Sequence, residues 1–364
     1  MNNPLAGTAR KVKLGQLGPL VDVPFNLKIL SRAGIVQPMR PGKLIGVGGE
    51  LRRWGASPAA GISASAIRRP DRIAVIDERG QATFAELNAR SNSLARALRE
   101  EAGVGAGDSV AVMCRNHQGF IEAIFASAKL GATVLLMNTD FAGPQLVGVV
   151  EREEPRALIH DAEFVDLLAE AGGDLPQFVS WVDEGVPHGV TTTEELIGNS
   201  SDSPLDPPAD PSRFIVLTSG TTGTPKGAQR KSPDSLGPLA ALFDRIPLRS
   251  EQSIHIAAPM FHSWGFLHFL LGLALGSTYV LRRRFTPEGC LGAVAEHRTD
   301  ALAVVPVMLQ RIMELPEEVR SSYDLSSLRI TAASGSALPG DLATRWMDSF
   351  GDNLYNLYGS TEVA

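Results

Sequence analysis

Short apolar runs alternate with longer stretches of mixed apolar and polar residues from residue 73 to residue 182. Each run is four or five residues long, which is typical of a buried strand and too short for a buried helix. We predict strands at 73–76, 110–114, 133–137, 157–160 and 178–182. The stretches between them predict helices at about 119–130, 144–153 and 162–171. This repeated strand–helix order predicts a mostly parallel sheet with helices on both faces.

A further helix is predicted between the first two strands. Thr83 and Glu86 are three residues apart, which is the spacing of a capping box at a helix start. An apolar stripe at helical spacing runs from Leu87 to Leu98, and Gly103 follows as a residue that ends helices. We therefore expect one amphipathic helix here, packed on the sheet through its apolar stripe.

The second half of the chain repeats the alternation, which predicts a second parallel sheet. Its strands are predicted at 254–258, 277–281, 301–305 and 328–332. Its helices are predicted at about 266–275, 289–297 and 307–314. Residues 183–210 between the two halves are rich in Pro, Ser and Asp and predict a loop. No repeat of fixed period occurs along the chain.

The residues with the clearest chemistry form the stretch Thr218–Gly227, which follows the apolar run Phe214–Leu217. Three glycines allow sharp turns that bring backbone N–H groups close to an anion, while a serine and four threonines supply hydroxyl donors. Lys226 supplies a positive charge. A plain polar surface loop is the alternative, but phosphate binding explains this hydroxyl density better. The stretch is not a Walker A loop, because Pro225 precedes the lysine and Gly227 follows it.

This stretch resembles the signature loop of the AMP-forming adenylating enzymes, which include acyl-CoA synthetases, aryl-CoA ligases, luciferases and adenylation domains of peptide synthetases. The resemblance extends from about residue 66 to the end of the chain. It implies an α/β fold with two parallel-sheet βαβ subdomains, in which residues 53–364 form an incomplete AMP-binding domain. The family's β-barrel subdomain and mobile C-terminal domain, with the lysine that assists adenylation, do not follow within these residues. Residues 1–52 form an N-terminal extension.

Two further stretches resemble ligand-binding segments of the same family. Thr331–Pro339 resembles the small-residue loop beside adenine, and Tyr355–Glu362 resembles the Tyr-Gly-x-Thr-Glu motif. By this resemblance Tyr358 stacks on adenine, and Glu362 holds Mg²⁺ together with Thr218. The implied catalytic residues are Lys226, Thr361 and Glu362. The implied ATP contacts are Thr218, Ser219, Gly220, Thr221, Thr222, Gly223, Lys226, Gly335, Ser336, Asn356, Tyr358, Gly359 and Thr361.

Pro259–Phe266 resembles the family segment that borders the acyl pocket, so His262, Trp264 and Phe266 are predicted to line that pocket. Ordinary core packing is the alternative for the two aromatic residues. Amino-acid-activating relatives carry an Asp in this segment, whereas this chain has no carboxylate there. An acid with an uncharged tail is therefore favoured. A zinc site is disfavoured, because the spacings of His255, His262 and His268 fit no helical ligand pair.

The amino-acid composition limits the ligand classes and the cellular compartment that are expected for this protein. The chain has 364 residues, 44% of them hydrophobic, and a net charge of −6 without a long basic run, which argues against nucleic-acid binding. Its two cysteines, Cys114 and Cys290, have no metal-site spacing and are expected to be buried and reduced. No signal-peptide core follows Met1. We expect a cytoplasmic protein whose membrane association is at most peripheral.

The N-terminal extension gives weaker signals. Residues 26–36, with Lys28 and Arg32, predict a short amphipathic helix. Such a helix packs on the protein body or lies on a membrane surface. Packing on the body is favoured, because no strongly charged face accompanies the apolar one.

The function implied by the resemblance is that of the N-terminal part of a fatty-acid–CoA ligase, with ATP, Mg²⁺ and coenzyme A as cofactors. A carboxylate attacks ATP to give acyl-AMP and pyrophosphate, and a thioester with CoA follows. Two alternatives stay open. One is a non-catalytic remnant that binds a nucleotide or an acid. The other is part of an acyl-AMP ligase that passes its acyl group to a carrier protein.

Overall fold

A computed structural model describes residues 18–183, 189–218, 226–229 and 237–357. Its strands are β1 (Ile73–Asp77), β2 (Gly80–Thr83), β3 (Ser109–Met113), β4 (Thr133–Leu136), β5 (Ala157–Asp161), β6 (Gln177–Trp181), β7 (Phe214–Thr218), β8 (Lys226–Gln229), β9 (Ser253–Ile256), β10 (Thr278–Val280), β11 (Ala301–Val304), β12 (Ile330–Ala333) and β13 (Leu354–Asn356).

The helices alternate with these strands over most of the chain. They are α1 (Gly18–Ala33), α2 (Pro41–Trp54), α3 (Pro58–Arg68), α4 (Phe84–Ala102), α5 (Gln118–Leu130), α6 (Gly143–Glu153), α7 (Val165–Gly172), α8 (Thr193–Asn199), α9 (Gly237–Arg245), α10 (Ser263–Leu275), α11 (Pro287–Glu296), α12 (Pro306–Met313), α13 (Glu317–Ser321) and α14 (Gly340–Phe350).

The strands form two sheets, as predicted. A six-stranded sheet has the order β6-β5-β3-β4-β7-β8 and is parallel except for the β7–β8 hairpin. A seven-stranded sheet has the order β13-β12-β11-β9-β10-β1-β2 and is parallel except for β2. The first predicted strand, β1, thus joins the sheet built by the second half of the chain. The predicted fold class, α/β with two parallel-sheet subdomains, is confirmed.

The predicted caps of α4 are present in atomic detail. Thr83 Oγ1 accepts a hydrogen bond from the backbone N–H of Glu86 at 3.2 Å, and Glu86 Oε2 accepts one from the backbone N–H of Thr83 at 2.7 Å. Gly103 ends the helix with φ +64°, a left-handed conformation that glycine adopts without strain. Against the expectation of packing on a sheet, α4 packs most extensively against another helix, α5.

The helix α5 is the centre of the core. Its side chains Phe120, Ile121, Ile124 and Phe125 are fully buried. It contacts β3, β4 and β6 of the six-stranded sheet and β1 of the seven-stranded sheet. Every residue of α5 from Phe120 to Leu130 is buried, including the charged Glu122 and Lys129, so the helix is enclosed on all sides. Cys114 and Cys290 are free and buried, as predicted.

The structure also corrects the prediction for the segment between the two halves of the chain. Residues 183–210 were predicted to be a loop, but residues 193–199 within them form the helix α8. Thr192 and Glu195 make a capping box that starts it: Thr192 Oγ1 accepts from the N–H of Glu195 at 3.1 Å. Seven residues are fewer than two helical turns, so no apolar periodicity marks the helix in the sequence.

The N-terminal extension is more helical than predicted. The helix expected at residues 26–36 overlaps α1, which begins at Gly18 and ends at Ala33, and α2 follows it. Ile29, Leu30 and Ala33 of α1 are buried in the main core, so one side of α1 packs on the body as favoured. Among the described residues, no helix combines the length and the apolar character needed to cross a membrane.

Candidate functional site

The hairpin β7–β8 carries the predicted phosphate loop. Thr218 is the last residue of β7 and pairs with Lys226, the first residue of β8. The two ends of the loop are therefore held side by side at the carboxyl edge of the parallel strands β4 and β7. Ligand crevices of open α/β sheets lie at this edge. The predicted loop residues Ser219, Gly220, Thr221, Thr222 and Gly223 lie outside the described residues.

The predicted adenine loop leaves the carboxyl end of β12. Ser334 is buried, whereas Gly335 and Ser336 are exposed. Gly335 has φ +98°, a conformation that an L side chain rarely adopts. A glycine is therefore favoured at the point where the chain leaves the strand and becomes exposed.

Asn356 is brought next to this loop by strand pairing. It is the last residue of β13, is exposed, and pairs with Ala333 at the end of β12. His262 follows β9, a parallel strand of the same sheet. It therefore lies beyond the carboxyl edge at which β12 and β13 also end. Residues predicted to bind the base and the acid therefore lie at or beyond strand ends on one edge of the same sheet. Tyr358, Gly359, Thr361 and Glu362 lie outside the described residues.

The segment at the predicted acyl pocket starts α10. His262 is the N-cap residue and is half-buried, and burial lowers its pKa, an effect that the charge of Asp140 partly opposes. Asp140 follows β4 of the other sheet, so the two sheets meet near His262. A β-carbon at Gly265 would lie 2.3 Å from the carbonyl oxygen of Pro259. Only glycine allows this close contact between the helix start and the preceding turn.

Trp264 and Phe266 are buried members of the core, at 7% and 6% exposure. Trp264 Nε1 donates a hydrogen bond to the carbonyl oxygen of Val304 at 2.9 Å, which fixes the ring. The Phe266 ring packs on Phe214 of β7 with centroids 5.2 Å apart. Phe266 therefore links the helix after β9 to the strand that leads into the phosphate loop.

Asn116 joins the two sheets and was not found from the sequence. It follows β3 in the six-stranded sheet, and its Nδ2 donates to the carbonyl oxygens of Ile256 and Ala258 at 2.9 Å each. Its Oδ1 accepts from the backbone N–H of Met260 at 2.8 Å. One buried amide therefore holds the turn that leads to His262. A single Asn after a strand gives no signal in the sequence for contacts with residues 140 to 144 positions away.

The histidines behave as structural groups. His255 Nδ1 is 2.8 Å from the carbonyl oxygen of Val280, and His268 Nδ1 is 3.1 Å from that of Trp264. Burial lowers the pKa of each to about 4, so both rings are neutral near pH 7. Neither ring belongs to a possible metal-ligand cluster in the described residues.

One cluster of potential metal ligands occurs among the described residues, and it is fully buried. Cys114, His117 and Asp161 place one ligand atom each within 4.8 Å of one another. His117 Nε2 is 2.7 Å from Asp161 Oδ1, and its Nδ1 accepts from the backbone N–H of Gly119 at 3.1 Å. Burial raises the pKa of the Cys114 thiol. Both imidazole nitrogens are already occupied, so the cluster acts as a hydrogen-bonded unit of the core.

Comparison with known proteins identifies the class. The chain belongs to the AMP-binding enzyme family, whose model matches residues 62–364. Its relatives are acyl- and aryl-CoA ligases, and it corresponds to the N-terminal part of these proteins. The chain spans about half the length of the curated relatives it matches.

Among these relatives, a feruloyl-CoA synthase from an Amycolatopsis species is 33% identical over 78% of this chain and 55% of its own. The medium-chain fatty-acid–CoA ligase of Escherichia coli K12 is 28% identical over 85% of this chain and 56% of its own. The crystal structure of the anthranilate CoA ligase AuaEII in complex with anthranoyl-AMP matches with a TM-score of 0.76 and 23% identity, over 84% of this chain and 60% of that one. At this identity the structural match supports the fold alone.

Proposed function

We propose that this chain is part of an ATP-dependent carboxylic acid–CoA ligase and supplies its nucleotide- and acid-binding surfaces. A carboxylate oxygen attacks the α-phosphorus of ATP, so a new P–O bond forms and the bond to pyrophosphate breaks. The CoA thiolate then attacks the acyl carbon, which forms the thioester and releases AMP. Both steps depend on positioning and on neutralising phosphate charge rather than on a covalent enzyme intermediate.

The observation that carries this proposal is the β7–β8 hairpin, in which Thr218 pairs with Lys226. This pairing holds the two ends of a stretch that is rich in hydroxyl residues and glycine side by side at the carboxyl edge of a parallel sheet. Lys226 neutralises charge on the phosphates. A hydroxyl from Thr218 and a carboxylate from Glu362 are oxygen donors of the kind Mg²⁺ prefers, and the ion supplies further charge neutralisation when bound. Thr361 contacts the α-phosphate.

The acid is proposed to bind beside His262, beyond the end of β9. A fatty acid is the first candidate, since residues 259–266 contain no carboxylate to pair with a charged tail. An aromatic acid is the second candidate, because a feruloyl-CoA synthase is among the relatives. For the acyl acceptor, the alternative to CoA is a carrier protein. For the activity, the alternative to catalysis is nucleotide binding alone.

Binding of a non-hydrolysable acyl-adenylate analogue tests the proposal on the chain as it exists. Calorimetric titration with one aliphatic and one aromatic analogue, each with Mg²⁺, is expected to detect binding of at least one. Lys226→Ala is expected to weaken it about tenfold or more, because a lysine–phosphate interaction is lost. Lys28→Ala, an exposed lysine on α1, serves as the matched control and should bind like the wild type.

Pyrophosphate release with ATP, Mg²⁺ and a panel of acids separates the catalytic from the non-catalytic hypothesis. Release that depends on an acid would show that these residues adenylate without the family's C-terminal lysine. Analogue binding without release indicates a binding part that needs further residues for catalysis. If no analogue binds, or if Lys226→Ala binds as tightly as the wild type, the assignment of the site is wrong.

A further inference from the structure

The N-terminal helices expose an unusual amount of apolar surface. Seven large apolar side chains are exposed in the described residues, and six of these lie between residues 25 and 51. On α2, Leu44 is 56% exposed, Ile45 76% and Leu51 51%. Leu44 and Leu51 are seven residues apart and so lie on the same side of the helix. This surface lies outside residues 62–364, the part that matches the family.

The same helices are firmly packed on their other side, so this exposure is not that of an unfolded segment. Trp54 is buried, and its Nε1 donates to Glu50 Oε2 at 2.8 Å. A β-carbon at Gly46 would lie 3.2 Å from Ile67 Cγ2 of α3, so α2 and α3 are in close contact. The exposed leucines and isoleucine are therefore held outward by a helix whose opposite face is fixed to the body.

Positive charge surrounds the exposed apolar groups. Residues 24–54 contain six exposed Lys or Arg side chains and one carboxylate, Glu50, although the whole chain has a net charge of −6. Glu50 is engaged by Arg53 at 3.0 Å and by Trp54, so it offers little charge to the outside. Lys43 directly precedes Leu44, and Arg52 directly follows Leu51. Apolar and cationic groups thus alternate on one short helix.

We propose that α2, with α1 beside it in the chain, binds the surface of an anionic lipid bilayer. Leu44, Ile45 and Leu51 enter the boundary between headgroups and acyl chains, and Arg40, Lys43 and Arg52 meet the lipid phosphates. A helix with apolar side chains flanked by Lys and Arg is suited to this interface. A protein partner fits less well, because the core of a protein interface is depleted of charged residues, whereas here cations adjoin the exposed leucines in the sequence.

Flotation of the full chain with lipid vesicles tests the proposal. The chain is expected to bind vesicles of phosphatidylcholine plus phosphatidylserine about tenfold or more tightly than phosphatidylcholine alone, and binding should weaken in high salt. A triple variant, Leu44→Ser/Ile45→Ser/Leu51→Ser, is expected to lose this binding. A charge variant, Arg40→Gln/Lys43→Gln/Arg52→Gln, should lose the preference for the anionic vesicles. All six side chains are exposed, and Lys43 Nζ donates one exposed hydrogen bond, to the carbonyl oxygen of Arg68 at 2.8 Å, so thermal unfolding should change little in both variants.

Val307→Ser provides the matched control. Val307 is 50% exposed but lies on α12, away from the N-terminal helices in the chain, so its replacement should leave vesicle binding unchanged. Failure of the wild type to bind anionic vesicles would overturn the proposal, and so would equal binding by the wild type and the triple variant. Size-exclusion chromatography tests for self-association. If the wild type self-associates, the triple variant does not, and neither binds vesicles, the surface binds a second copy of the chain and the proposal is wrong.

Discussion

Asn116 accepts a hydrogen bond from the backbone N–H of Met260 at 2.8 Å, and this bond links the two sheets. Asn116 follows β3 of the six-stranded sheet, while Met260 follows β9 of the seven-stranded sheet. The same side chain also donates to two carbonyl oxygens of the β9 segment. The position of His262, two residues beyond Met260, therefore depends on a residue from the other sheet.

Replacing Asn116 with Ala is expected to destabilise the fold by about 3 kcal/mol, because three buried backbone groups lose their partner. Urea unfolding of the wild type and the variant measures this difference. Asn199→Ala, at an exposed position at the end of α8, is the control and should change stability by less than about 0.5 kcal/mol. If Asn116→Ala lowers the free energy of unfolding no more than Asn199→Ala does, the amide between the sheets contributes little to stability.

Gly265→Ala tests the close contact at the start of α10. The added methyl group would meet the carbonyl oxygen of Pro259 at 2.3 Å, and backbone cannot move aside as a flexible side chain can. We expect a loss of about 2 kcal/mol or more in stability, as is usual for overpacking. At Gly198 in α8 a β-carbon meets nothing within 4 Å, so Gly198→Ala should be neutral or slightly stabilising. Similar unfolding midpoints for the two variants would contradict the steric argument.

Arg283 provides a second link between the sheets. It follows β10, and its guanidinium bonds Glu163 and Asp183 at 2.7 Å each and lies 4.7 Å from the centre of the Trp181 ring. Glu163 follows β5, Trp181 is the last residue of β6 and Asp183 follows β6, so all three partners come from the other sheet. The Arg283 and Glu163 side chains are 10% and 16% exposed, so this ion pair is shielded from water, whereas Asp183 is 54% exposed.

Arg283→Ala should cost about 2 kcal/mol, because it removes a mostly buried cation that lies 3.8 Å from the fully buried Asp161 and pairs with Glu163, although Glu163 keeps Arg115 and Arg284 as partners. The neighbouring Arg284 also pairs with Glu163, at 2.6 Å, but it is 64% exposed. Arg284→Ala should cost less than about 1 kcal/mol, as solvent screens an exposed pair. Thermal or urea unfolding of both variants gives the comparison, and equal costs would show that burial does not decide the strength of these pairs.

The helices and strands that were predicted from the sequence are those marked by a few neighbouring residues. The Thr83–Glu86 capping box and the glycine at 103 mark both ends of α4, and the short apolar runs mark the strands. The helix α8 was missed because seven residues are too few to show a period. The exposure of Leu44 and Ile45 was missed as well, since a sequence does not tell which apolar side chains of a helix are covered.

The segments proposed for the site were recognisable from the sequence for the same reason, because their signals are local. Its loops were recognisable because glycines and hydroxyl residues sit at fixed positions, and the pairing of Ala333 with Asn356 brings two of the predicted segments together. The hydrogen bond between Asn116 and Met260 was not predictable from the sequence. It joins residues 144 positions apart, and it needs only one Asn side chain and one backbone N–H group, neither of which stands out in the sequence. The roles of Lys226, Thr361 and Glu362 stay predictions.

Lys129 offers a test of stability against pH. Its side chain on α5 is buried, and its Nζ donates to Asn88 Oδ1 at 2.9 Å, Ser91 Oγ at 2.7 Å and Asn92 Oδ1 at 2.6 Å, all on α4. Burial lowers the pKa of Lys129 to about 7, an effect that Glu50 partly opposes. In the unfolded chain a lysine has a pKa of about 10.4.

Between about pH 7 and pH 10 the unfolded chain therefore holds a proton on Lys129 that the folded chain lacks, so the free energy of unfolding rises with pH. The slope from this group is at most about 1.4 kcal/mol per pH unit. Lys129→Met removes the group and should remove this slope, whereas Lys28→Met, at an exposed position, should keep it. Urea unfolding of the three proteins at several pH values in this range measures the slopes. Parallel curves for the wild type and Lys129→Met would show that Lys129 stays charged when buried, held by its oxygen acceptors on α4.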